Sequence, residues 1–250
     1  MASGIYAACT ALMARSQELD VLANNLANVS TTGYKGETQF YEALTAASGN
    51  QTLGPLNTDV NRFGVLGGQA LNLDAGSIKA TNNPLDVALQ GQGFLEVKTK
   101  AGYVFTRAGN LQTGAKGELQ TAQGDPVMGI DAKHKTVPIY LPSGPVAIAK
   151  DGTISVGGAL VGKLKLVTFP PNTPLTPMGD AYISAPVASA KPAANLSVLQ
   201  GSLESSNVNP VQAETSLIAL QRNFDLVERA LKIFNTDFDQ PAATQLPQVP

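Results

Sequence analysis

The chain of 250 residues contains no tryptophan, one cysteine, Cys9, and one histidine, His134. A lone cysteine cannot form an intrachain disulfide. With a single histidine beside it, a zinc site of the usual Cys/His kind is excluded. Cys9 falls in a helical stripe and reads as a small buried hydrophobe. Charge is also scarce: 14% of residues are Asp, Glu, Lys or Arg, about half the usual share of a globular chain. The net charge of −2 comes with no basic face, so no nucleic acid partner is expected. No run is long and apolar enough for a bilayer span, so no membrane insertion is expected. The opening residues MASGIYAACTALMARS lack the basic and continuous apolar regions of a secretory signal. A cytoplasmic location, or export without a cleaved signal, follows as an expectation. Hydrophobic residues make up 43% of the chain, enough for a core. A surface so poor in charge repels itself weakly and suits a subunit covered by neighbours.

What is present is most regular at the two ends. Leu217, Phe224, Leu231 and Phe238 recur every seven residues, and Leu220, Val227 and Phe234 follow the first three by three. Asn209 is a good N-cap, Pro210 suits a first helical position, and Gln212 stands where a capping side chain would. The pairs Asp225–Arg229 and Glu228–Lys232 have the favourable acid-first order, and Pro241 ends the pattern. A helix over 210–239 would be roughly 45 Å long. The N-terminal end repeats the device: Ile5, Leu12, Leu19 and Leu26 at sevens, then Ala8, Leu22 and Val29, with Arg15 as a break. Ile218, Leu226, Ile233, Met13 and Val21 lie beside these stripes, more apolar surface than one helix pair covers. The sequence therefore predicts an α+β fold: N- and C-terminal amphipathic helices paired as a coiled-coil-like bundle, with an inserted all-β domain. Further subunits would cover the remaining apolar surface.

Residues 36–83 read as an extended connector between an N-terminal arm, 1–35, and a β-domain, 84–190. In that domain short alternating runs are broken by Gly and Asp, with Asp151-Gly152 and Gly157-Gly158 as hairpin turns. A return connector, 191–209, leads to the C-terminal arm, 210–240, and a Pro-rich tail, 241–250.

Catalytic constellations are missing. A triad must use His134, which stands between Lys133 and Lys135 in a polar stretch and reads as a solvated turn. Gly91-Gln92-Gly93 opens like a dinucleotide fingerprint, but Phe94 continues a strand and no third glycine follows. Glu96, Glu118, Asp125 and Asp151 show no pairing. The sequons at Asn28 and Asn195 need a secretory route that the N-terminus does not indicate. No catalytic, metal or cofactor residue is expected.

The most specific string is LDVLANNLANVSTTGYKG, residues 19–36. Its asparagines Asn24, Asn25 and Asn28 around Leu26 are helix-end residues, and Thr31, Thr32 and Gly33 before Tyr34 make the break. This string resembles the N-terminal signature of the bacterial flagellar rod and hook family. NPLDVALQGQGFLEV at 83–97 and YVFTRAGN at 103–110 resemble the start of that family's β-domain. GSLESSNVNPVQAETSLIALQRNFD at 201–225, centred on Asn207, Asn209 and Pro210, resembles its C-terminal signature. The runs PLDVAL, AKDGTI and GKLKLV look most like proximal rod members, although the N-terminal string would serve a distal one equally.

The resemblance implies a structural subunit of the basal-body rod in the periplasm. It also implies passage through the flagellar type III export apparatus, and partnership with copies of itself and other rod proteins. On that reading the assembly interface comprises Ile5, Leu12, Leu19, Leu22, Leu26, Leu217, Leu220, Phe224, Val227, Leu231 and Phe234. A periplasmic peptidoglycan-binding module is the alternative from another class. It would need clustered exposed aromatics, and aromatics make up only 6% of the chain.

Overall fold

The computed structural model describes residues 2–42, 65–131, 135–179 and 181–234. Helix α1 spans Ala2–Ala27 and helix α2 spans Pro210–Phe234. Most of the remaining structure is antiparallel β-sheet. The chain divides into two compact units, one of residues 1–26, 37–70 and 209–250, the other of residues 27–36 and 71–208.

The second unit is built on two sheets. One has six strands in the order Thr176–Pro177, Tyr182–Ser184, Gly102–Thr106, Phe94–Thr99, Leu166–Thr168, Lys191–Pro192. The other has five, in the order Thr136–Pro138, Met128–Ile130, Ala159–Leu164, Thr153–Val156, Val146–Ile148. Hairpin chemistry sets the register of the latter. Gly157 and Gly158 both have positive φ, 59° and 85°, which a two-residue turn of primed type requires. They join Val156 to Ala159, which face each other as a pair. Alternation along the strands turns Leu95 and Val97 of one sheet, and Ile154, Val156 and Leu164 of the other, into one core cluster. Phe94, Phe105 and Val167 form a second cluster, in which Phe169 meets Phe105 edge-on at 4.8 Å between centroids. Burying each such side chain contributes about 1.5–3 kcal/mol. Short pairs add to this unit: Ser197–Gln200 with Val87–Gln90, Ser202–Glu204 with Ile78–Ala80, and Gln112–Thr113 with Leu119–Gln120.

In the other unit, Glu37–Glu42 and Val65–Leu71 form a two-stranded sheet. Asn209 caps α2 as its residue type suggests, its Oδ1 accepting the Val211 and Gln212 amides at 3.1 and 3.2 Å.

The expected α+β bundle of paired terminal helices is corrected. The fold is mostly β, with only two helices among the described residues, and the terminal bundle is not supported. The reason shows in α1. Among its described side chains the most buried are Ala14, Val21 and Asn25, whereas the expected seam residues Leu12, Leu19, Leu22 and Leu26 are only half-buried. A repeat of seven records that a helix has an apolar side. It does not say which element that side meets, and a seam with Ala8 and Arg15 in it is weak.

Candidate functional site: a buried ionic clasp

The strings that carried the resemblance converge on one arrangement in the β-rich unit. It begins where α1 ends. Asn28 turns the chain: its carbonyl accepts the Thr31 amide and its Oδ1 accepts the Thr31 hydroxyl, each at 3.1 Å. Gly33 follows with φ of 68°, the left-handed region that glycine occupies without strain. A Cβ there would lie 2.3 Å from the Ala108 nitrogen, so only glycine lets this turn close on the Arg107–Ala108 backbone. Tyr34 is then buried against Ala108 and Ala181, with Val208 packed beside them.

Lys35, next along, is 3% exposed, and so is Arg107; Glu204 is 1% exposed. Lys35 Nζ donates to Glu204 Oε1 at 2.7 Å, and Arg107 Nε donates to Glu204 Oε2 at 2.8 Å. The Gly76 amide supplies a third bond to the carboxylate at 2.9 Å. The remaining donors are also placed. Lys35 reaches the Asp74 carbonyl at 2.5 Å. Arg107 reaches the carbonyls of Gly91 and Gly93 at 2.9 Å and of Leu89 at 2.8 Å.

Burial works against the Glu204 charge. The Lys35 hydrogen bond, the Arg107 charge and the Gly76 amide outweigh it and hold the carboxyl below its ordinary pKa. For Lys35 burial dominates and lowers the pKa; Glu204 restores part of it, while Arg107 adds to the fall.

Amides extend the clasp. The Gly33 amide donates to the Glu204 carbonyl at 2.8 Å. Asn207 accepts the Gly36 amide at 2.8 Å and donates to the carbonyls of Asn72 and Asp74 at 2.9 and 3.1 Å. Residues 33–36, which follow α1, and residues 204–207, which precede α2, are thus bonded to each other within this unit. Within the other unit, buried Asn25 exchanges two bonds of 2.8 Å with the Glu37 backbone, its amide standing in for a strand neighbour.

Of the expected motif residues, Asn28, Thr31, Gly33, Tyr34 and Asn207 take part in the clasp or the turn that precedes it. Asn25 acts at the end of α1, and Asn209 and Pro210 start α2. On α2, Leu220 is buried and Leu217 and Phe224 are half-buried. The side chains of Ile5, Val227, Leu231 and Phe234 lie outside the described residues, as do His134 and the tail. The clasp charges themselves, Lys35, Arg107 and Glu204, were not singled out from sequence. Each is a lone charge in an otherwise uncharged string, GYKG, FTRAG and SLESS, which is the signal that was available. No group of His, Cys, Asp and Glu suited to a metal occurs among the described residues.

Three family models match along the chain. "Flagella basal body rod protein" matches residues 5–35, "Flagellar hook protein FlgE/F/G D1 domain" matches 88–156, and "Flagellar basal body rod FlgEFG protein C-terminal" matches 199–243. Each matched segment, or the residues just before and after it, supplies part of the clasp. Among relatives, the flagellar basal-body rod protein FlgF of Salmonella typhimurium is 35% identical, covering 96% of this chain and 98% of its own. That of Mesorhizobium japonicum is 32% identical over 90% of each chain. A rod protein FlgG, from Agrobacterium fabrum, is 29% identical over 90% of this chain and 92% of its own.

Proposed function

The chain belongs to the flagellar basal-body rod protein family, a family of structural subunits, and from this we propose that it occupies the proximal rod and polymerises through its terminal helices into the torque-transmitting axis. The observation that carries the reading is likeness along nearly the whole chain, both ends included, to FlgF proteins.

The helices support an assembling role. On α2 the buried residues Ala213 and Leu220 mark one face, while Val211, Ile218 and Leu226, on the other side of the helix, are 67%, 50% and 62% exposed. On α1, Met13 is 67% exposed and the line Leu12, Leu19, Leu22, Leu26 is half-buried. Such apolar surface is stabilised by covering it, and copies of this chain and other rod proteins are the proposed cover. The flagellar type III apparatus is the proposed route of export, and the rod in the periplasm the proposed location. The role is mechanical, with no catalytic step.

Deleting the gene is expected to abolish swimming and to stop hooks from forming, seen by electron microscopy of basal bodies. Complete hooks on cells lacking the protein would overturn the assignment.

A further inference from the structure

We propose that Lys35, Arg107 and Glu204 form a latch that Glu204 closes, so that the segment following α1 and the segment preceding α2 seat in the β-rich unit only together. The inference concerns how this chain completes itself, and it does not depend on the position of the subunit in a rod.

Separation along the chain is the first observation. Glu204 lies 169 residues after Lys35 and 97 after Arg107, yet its two carboxylate oxygens divide between them. The two cations and their shared anion therefore come from parts of the chain that are far apart in sequence. Burial is the second. A buried ammonium without a bonded carboxylate is strongly disfavoured, whereas an ammonium on an unseated loop keeps its water. Asp74, on the exposed side, attracts Lys35 more weakly than Glu204 does. Until Glu204 arrives, the lower-energy choice for Lys35 is to stay out, and residues 33–36 stay out with it.

Backbone bonding is the third observation, and it makes the dependence mutual. The Gly33 amide has the Glu204 carbonyl as its acceptor, and the Gly36 amide has Asn207. On the other side, Gly76 donates to the Glu204 carboxylate and Ser205 donates to the Ser77 carbonyl. A Cβ on Gly76 would lie 1.9 Å from the Ser205 oxygen, so this approach too is closed to other residues. Residues 33–36 supply donors to residues 204–207, which supply the acceptors, while residues 76–77 hold 204–205 from the other side. Two elements coupled in this way must respond reciprocally. Lys35, Arg107 and Glu204 are positioning residues on this reading: they decide when the roots of both helices become fixed.

Native-state hydrogen exchange on the full-length isolated chain tests it. Glu204→Gln keeps the shape and removes the charge. The expected result is at least a tenfold rise in exchange at Gly33, Gly36 and Gly76, with Leu119 and Val127 in the core unchanged. Adding Lys35→Met removes the stranded ammonium and is expected to restore at least threefold of that protection. An equal rise at Leu119 and Val127, no rise at Gly33 and Gly36, or no recovery in the double variant would each overturn the proposal. If Glu204→Gln does not yield folded protein, the double variant decides. Its folding supports the latch, and its failure to fold overturns it.

Discussion

Leu89, Leu95, Phe105 and Ile154 in the β-rich unit are at most 1% exposed, while Val211, Ile218 and Leu226 on α2 are half or more in water. Charges differ too, although the β-rich unit also carries an exposed pair, Lys163 with Asp151. The β-rich unit encloses Lys35, Arg107 and Glu204 with bonds at 2.7 and 2.8 Å, whereas Glu228 and Lys232 on α2 pair on an open surface. The β-rich unit also has exposed apolar residues, Leu160 at 72% and Tyr140 at 52%, but its core and its ionic cluster are closed within one chain. The pattern on α2 fits the proposed role of a part that keeps apolar surface for others. An apolar face in water contributes nothing to the isolated fold, and an exposed ion pair, screened by water, contributes little. On the function proposed above, one unit holds its own shape and the helices carry the capacity to associate.

The sharpest way to break that contrast is to open the clasp. Glu204→Ala leaves two buried cations without their carboxylate and is expected to cost about 3–5 kcal/mol of stability, measured by denaturant unfolding of the β-rich unit. The pH dependence has a definite sign. Because the folded pKa of Glu204 lies below its ordinary value of 4.5, its contribution is fully present above that value. It is lost as pH falls through the lowered native pKa. The gap between the natural chain and Glu204→Gln should accordingly be constant near neutrality and close in acid. A gap that stays open in acid would mean that the carboxylate charge is not what stabilises the clasp.

Features written locally in the chain were legible. The helix start at Asn209-Pro210 and the turn at Gly157-Gly158 each depend on a few adjacent residues, and both stand as read. The β texture of the middle was equally plain, because alternation and turn residues are local. The clasp was not legible, since nothing near Lys35 announces a partner 169 residues away. The bundle was misread for a related reason. Leu12, Leu19 and Leu26 reveal a period, but among the described side chains of α1 the buried ones are Ala14, Val21 and Asn25. The family resemblance marked the right strings without saying that they meet.

A smaller change sharpens the comparison from the helical side. Asn209→Ala removes the acceptor of the Val211 and Gln212 amides and is expected to cost about 1 kcal/mol in the helical unit. Helicity by circular dichroism with residue-resolved exchange is the measurement. The loss should show in the first turn of α2 and leave the amides of Leu119 and Val127 protected. Loosening at those core amides would mean that the two units do not divide the work as argued.

The smallest effect on the isolated chain is expected where the effect on assembly is largest. Ile218 and Leu226 are 50% and 62% exposed, so replacing both with Asp removes little buried surface. Surface changes of this kind usually stay within about 0.5 kcal/mol each, and the unfolding midpoint of the monomer should barely move. In an assembly the same side chains would be desolvated, and a carboxylate there would be buried without a partner, which is strongly unfavourable. Ile218→Asp with Leu226→Asp is therefore expected to give a normally folded, normally exported chain that does not enter basal bodies. Ile218→Leu with Leu226→Ile keeps the apolar surface and should assemble. The two outcomes are read by quantifying the protein in purified basal bodies against its level in the export-competent cell. Incorporation of the aspartate variant at the natural level would show that this side of α2 faces water in the rod as well, and the assembly face would have to be sought on the half-buried line of α1.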